Sequence, residues 1–206
     1  MNTAVASPTA GWPPDRHSAS TGTGLWVFMG VASTLFSLFT LAYGMRMDSA
    51  DWSPIAMPGQ LWLSTALLAA GSVLLQSASA AARTGRWAAA HLRLLAGGAC
   101  ALAFVAAQLW VWQTLQAAHV MPAGNPAASF FYLLTAMHGL HVIGGLVGWG
   151  LTVRGAGRGT AAGPALAWRI TLCARYWHFL LAVWLLLFAA LAWLTPEAVR
   201  WICGRG

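Results

Sequence analysis

The chain has no lysine, only four acidic residues and only three cysteines in 206 residues. Charged residues make up 7% of it and hydrophobic residues 59%, against roughly 25% and 45–50% in ordinary globular proteins. A water-soluble fold is therefore excluded. Cys100, Cys173 and Cys203 are an odd set without C-x-x-C spacing, and two of them lie inside apolar runs. This rules out a disulfide framework and a thiolate metal motif. No Asp or Glu falls inside a long apolar run, so a proton relay or ion-coupled transporter built on intramembrane carboxylates has no material. Ser64, Ser77 and Ser79 likewise have no histidine–carboxylate pair to activate them. The formal net charge of +7 is not a nucleic-acid signal, because the arginines sit at the edges of the apolar runs, where they mark membrane topology.

What is present is five apolar stretches, near 24–45, 59–82, 93–116, 127–152 and 169–195. Each reaches the ~20 residues a helix needs to cross a hydrocarbon core of ~30 Å. The runs are continuous rather than alternating at period two, which disfavours a barrel. The expected fold is an all-α integral membrane protein, a single bundle of five transmembrane helices over 24–195. Residues 1–23 read as a flexible cytoplasmic tail without a signal peptide, and 196–206 as a short periplasmic tail. Arg46 to Pro54, Arg83 to Arg86, Met121 to Pro126 and Arg154 to Pro164 punctuate the spans. The second span is the least oily, with Ser64, Thr65, Ser72, Gln76, Ser77 and Ser79, so its polar face is expected against other helices.

Five spans place the N-terminal tail and the second and fourth connections on one side. That side carries Arg16, Arg83, Arg86, Arg93, Arg154, Arg158 and Arg169, with Arg175 near the start of the last span; the other has Arg46, Arg200 and Arg205. The arginine-rich side is expected to be cytoplasmic, putting the N terminus inside and the C terminus outside. Arg83, Arg86, Arg93 and Arg175 are candidates for holding lipid headgroups. Trp52, Trp62, Trp168, Trp193 and Trp201 fall near span ends, whereas Trp110, Trp112 and Trp184 lie deeper and read as packing or lipid-contact groups.

Histidine is the remaining intramembrane chemistry. His138 and His141 are three apart in the fourth span and share a helix face; His178 lies at similar depth in the fifth. Opposed helix histidines can hold a haem iron. Neutral imidazoles also tie helices together through hydrogen bonds at about 1 kcal/mol each, and H-x-x-H without a Cys, Asp or Glu is not a zinc pattern. Packing is the favoured reading, with no catalytic, cofactor or metal residue assigned. Gly139, Gly144, Gly145 and Gly148 read as a small-residue face that admits another helix. His91 and His119 are placed in connections.

His138-Gly139-Leu140-His141-Val142-Ile143, then Tyr176-Trp177-His178-Phe179 and Val183-Trp184-Leu185, resemble subunit III of the haem-copper respiratory oxidases. Leu35-Phe36 to Ala42-Tyr43, Trp62-Leu63-Ser64-Thr65 to Leu68, and Gln108 agree in order and spacing, so the likeness runs over about 24 to 195. The resemblance implies the five-helix bacterial form in the inner membrane, with no redox centre of its own. Haems and copper are then in subunit I, subunit II is a further partner, and phospholipids occupy a cleft. Assembly, protection of subunit I and support of proton uptake are the implied roles. Thr65, Gln108, His138, Gly139, His141, Tyr176, Trp177, His178 and Trp184 become candidates for helix packing and subunit contact. Three carboxylates of longer relatives are replaced here by Ala32, Val111 and Leu181, so direct proton feeding is expected to be weaker. Two other readings stand beside this one: an accessory protein of a nitric oxide reductase, and a haem b anchor using His138 or His141 with His178.

Overall fold

The computed structural model describes residues 16–156 and 163–202. Its helices are α1 (Arg16–Arg46), α2 (Gln60–Arg83), α3 (Trp87–Ala117), α4 (Pro126–Ala156), α5 (Pro164–Trp193) and the short α6 (Pro196–Ile202). The first five are long and apolar enough to cross a membrane. Residues 1–15, Arg158, Cys203 and Arg205, which figure in the expectations above, lie outside the described residues.

Boundaries differ from the sequence reading in three respects. α4 runs to Ala156 rather than near 152, and α5 begins at Pro164 rather than near 169. α1 begins at Arg16 rather than near 24, and α3 at Trp87 rather than near 93. Once a helix is nucleated, each further turn adds a hydrogen bond at little cost, so helices run past the apolar limits. His91 consequently lies in the first turns of α3 and not in a connection. Third, residues 196–202, expected as tail, form α6, with Pro196 at its first position and Glu197 in its first turn.

Local chemistry sets the ends. The N–H of Arg86 donates to the Ala81 carbonyl (2.9 Å) and that of Gly85 to Ala82 (3.2 Å), a Schellman closure of α2 that places Gly85 at φ 73°. At the start of α4 the Asn125 side chain accepts from the Ala128 N–H at 2.9 Å, with Pro126 at the first helical position. Between α1 and α2, Arg46 and Asp51 form an exposed ion pair at 2.9 Å.

α2 packs on α3 and α5, and α4 packs on α3 and α5, so these four close a bundle; α1 lies outside it against α4 and α5. α2 and α3 approach closely because Gly71 and Gly97 face each other: a Cβ on Gly97 would lie 2.7 Å from Leu75 Cγ and 3.3 Å from the Gly71 carbonyl oxygen. Gly98 leaves the seat taken by the Trp149 indole, whose Nε1–H donates to the Leu94 carbonyl at 2.8 Å. Outward faces are aliphatic, with Val31, Leu38, Leu102, Leu140 and Val147 each more than half exposed. Such a surface suits lipid rather than water.

Candidate functional site

Polar side chains of α2 line up on α5. Thr65, Ser72 and Ser79 recur every seven residues, two turns, so they form one stripe. Trp184 Nε1–H donates to Thr65 Oγ1 at 2.9 Å, Ser72 Oγ lies 2.5 Å from His178 Nδ1, and Ser79 Oγ lies 2.8 Å from Thr171 Oγ1. As the α2 number rises, the α5 number falls in step, which is the register of an antiparallel pair. Proton accounting assigns two of these bonds. Thr65 and Thr171 send their own hydroxyl protons to the Leu61 and Ala167 carbonyls, both at 2.8 Å. Thr65 is thus the acceptor from Trp184, and Ser79 the donor to Thr171. Ser64, Ser72, Ser79 and Thr171 are buried and Thr65 and Ser77 half-buried, so the polar face expected on the second span is turned into the protein except at Gln76, which is exposed.

Ser72 has twelve residues of α2 before it and eleven after, and His178 fourteen of α5 before it and fifteen after. The central bond of the seam therefore joins the midpoints of both helices. His178 itself is exposed on its far side.

The other two histidines point elsewhere. His138 is fully buried, its ring centroid 5.2 Å from Trp184, 5.7 Å from Phe104 and 6.3 Å from Phe36. Neither of its ring nitrogens has a hydrogen-bond partner among the described residues, and the same holds for the Gln108 amide and Trp177 Nε1. His141 packs on Phe36 and Phe28 of α1, at 5.1 and 5.8 Å between centroids. Its Nδ1–H donates to the Met137 carbonyl at 2.8 Å, which fixes the tautomer. Tyr176 O–H donates to the His141 backbone carbonyl at 3.0 Å, and Gly145 leaves room for the Tyr176 ring, 3.0 Å from where a Cβ would stand.

The three imidazoles thus serve three separate contacts, and among the described residues no cluster of three or more His, Cys, Asp or Glu side chains is placed to hold a metal ion. Similar depth did not give His141 and His178 a common partner, because depth says nothing about rotation around the helix axis. The glycine face also needs correction. Gly145 is in contact, but Gly139, Gly144 and Gly148 have nothing within 4 Å of a Cβ position. The inward stripe of α4 runs through Thr135, His138, Val142 and Gly145, and Gly139 is turned about 100° from His138.

Of the arginines, Arg83 and Arg86 are exposed at the α2–α3 turn, where Arg86 Nε–H donates to Thr84 Oγ1 at 3.2 Å. Arg93 turns inward instead, one guanidinium N–H donating to the Ser77 carbonyl at 3.2 Å, and so clamps α3 to α2. Arg175 does not stand near the start of the last span but three residues from its midpoint, its guanidinium carbon 5.6 Å from the centroid of the Trp168 ring. At the arginine-rich end a cavity of about 130 Å³ opens between Trp87, His91, Leu94 and Ile170. Ala32 and Val111 are both buried and apolar.

The seam was readable only in part from the sequence. Heptad spacing of Thr65, Ser72 and Ser79 was the available signal; Thr171, flanked by apolar residues, offered none.

Fold and site together define a multi-pass α-helical membrane protein whose intramembrane polar groups largely join helices. No family model matches the chain. A probable cytochrome c oxidase subunit 3 of Nocardia farcinica is 31% identical over 209 residues, spanning 93% of this chain and 98% of that protein. Probable cytochrome c oxidase subunits 3 of Mycobacterium bovis and Mycobacterium tuberculosis are 33% identical over 90 residues, 44% of each chain. The chain belongs to the cytochrome c oxidase subunit 3 family.

Proposed function

We propose that the chain is a non-redox accessory subunit III of a haem-copper cytochrome c oxidase in a bacterial inner membrane, with its N terminus cytoplasmic. Subunits I and II are its partners, and the haems and copper that reduce oxygen and drive proton pumping belong to that part of the complex. Family membership supports the complex. The observation that carries the accessory role is the separate use of the three imidazoles: His178 on Ser72, His141 on Met137 and α1, and His138 in an aromatic cage. A bis-histidine haem needs two of them opposed across one iron, and each ring is turned to a different neighbour.

The chain's own contribution is mechanical. Its seams hold a rigid apolar body beside subunit I, and its exposed arginines Arg83 and Arg86 hold anionic headgroups at the cytoplasmic boundary. Assembly and stability during turnover follow from that role. Buried Ala32 and Val111 leave no proton donor at those core positions.

The test is deletion of the chain followed by oxygen-uptake measurement on the purified, haem-loaded remainder. Initial turnover is retained and the working lifetime shortens. Immediate loss of turnover, or a Soret band in the isolated chain that disappears on His178→Ala, overturns the reading.

A further inference from the structure

The α2–α5 seam leaves polar groups on its outer side that nothing among the described residues answers. His178 is exposed although it stands at the midpoint of α5, and among the described residues its Nε2 has no hydrogen-bond partner, since Ser72 takes Nδ1. Arg175, one turn before it, is exposed, and among the described residues its guanidinium lies over the face of Trp168. Gln76, one turn past Ser72, is exposed as well. The antiparallel register sets Gln76 level with Arg175. Ala182 and Leu185 continue the exposed stripe of α5.

A cation and two polar side chains within about 6 Å of a span's midpoint are costly in hydrocarbon. Among the described residues the acidic side chains are Asp48, Asp51 and Glu197, outside all five spans, so no described carboxylate of this chain stands in the membrane beside Arg175 and the countercharge is sought on another molecule. A lipid phosphate stands at the membrane surface. It is within reach of Arg175, whose stem already runs toward the Pro164 end to meet Trp168, but not of His178 Nε2 or of the Gln76 amide. A transmembrane helix reaches all three.

We propose that the strip formed by Gln76, Arg175 and His178 is the face on which a transmembrane helix of a partner subunit docks, through a side-chain carboxylate held by Arg175 and His178. This rests on the accessory-subunit reading and names the surface by which the chain would join its complex.

The test uses the tagged full chain co-expressed with its natural partners and solubilised in mild detergent, with haem retained per chain read from the visible spectrum. His178→Asn is the sharp variant, because its amide replaces Nδ1 against Ser72 while removing Nε2. His178→Asn and Arg175→Gln are each expected to lower retained haem about tenfold. Leu140→Ala, on the outward face of α4, leaves it unchanged. A photo-crosslinking residue in place of Ala182 is expected to capture an Asp- or Glu-bearing transmembrane peptide; capture of phospholipid alone overturns the proposal. Wild type and both variants retaining haem equally also overturns it while the subunit reading stands. Wild type that retains no haem-bearing subunit overturns both.

Discussion

Ser72 Oγ and His178 Nδ1 lie 2.5 Å apart at the midpoints of two antiparallel helices. Little water reaches that depth, so each group depends on the other. Bonds of this kind between membrane helices average only about 0.6 kcal/mol and reach about 1.7, yet here three recur along one seam.

Thr65→Val keeps the shape of the side chain and removes the acceptor of Trp184 Nε1. The indole N–H then lacks its partner in a buried site, at about 1–2 kcal/mol. Thermal unfolding in detergent should show a lower midpoint. Ser79→Ala should cost about 1 kcal/mol or less, because Thr171 keeps its bond to Ala167. About four turns of helix separate the sites, so the double variant should show the sum within about 0.5 kcal/mol.

Two glycines make opposite predictions. A Cβ on Gly98 would lie 2.1 Å from Trp149 Cε2, so Gly98→Ala forces the indole out and loses its bond to Leu94, costing about 1–3 kcal/mol. Gly148 has nothing within 4 Å, and Gly148→Ala should raise stability by about 0.5–1 kcal/mol through helix propensity alone. The difference in melting midpoint between the two variants is the readout. Equal values would mean α3 and α4 do not meet as described.

His138 lies in a cage of Phe36, Phe104 and Trp184 with neither ring nitrogen bonded among the described residues. An aromatic ring without polar atoms meets the same walls. His138→Phe is expected to stay within about 1 kcal/mol of wild type in detergent unfolding. A large loss would reveal a polar partner in the cage.

The loop between α1 and α2 holds an acid whose titration is displaced, Asp51. Hydrogen bonding with the Ser49 side chain is the largest cause holding the Asp51 carboxyl below its ordinary value; desolvation opposes it, and the Asp51 backbone N–H and the Arg46 charge add to the lowering. Because the folded-state value is the lower one, the interaction is present above the unfolded-state value and is lost as pH falls through the folded-state one. Carboxyl NMR should show Ser49→Ala moving the Asp51 midpoint up, and by more than Arg46→Ala does.

The arginine count predicts the orientation. A reporter fused after Gly206 should be active only on the periplasmic side; cytoplasmic activity would invert the topology.

Composition alone determined that this is a membrane protein with five apolar spans and no carboxylate within them, since the lengths and charges that decide it are local properties. The His138–His141 and Tyr176–His178 motifs carried the family resemblance in the same way. Rotation was another matter. Apart from α2, whose Thr65, Ser72 and Ser79 mark its inward side, these helices are apolar nearly all round, so no polar face announces which side turns inward, and similar depth left His141 and His178 open as a haem-holding pair. Only packing decided otherwise: the close approach of Gly71 to Gly97, the seat of Trp149 on Gly98 and the antiparallel register of α2 on α5 set each helix's angle. That angle gave His178 to Ser72, His138 to the aromatic cage and Arg93 to a backbone carbonyl, because a side chain's partner depends on where its neighbours across the bundle stand, not on its position along its own helix.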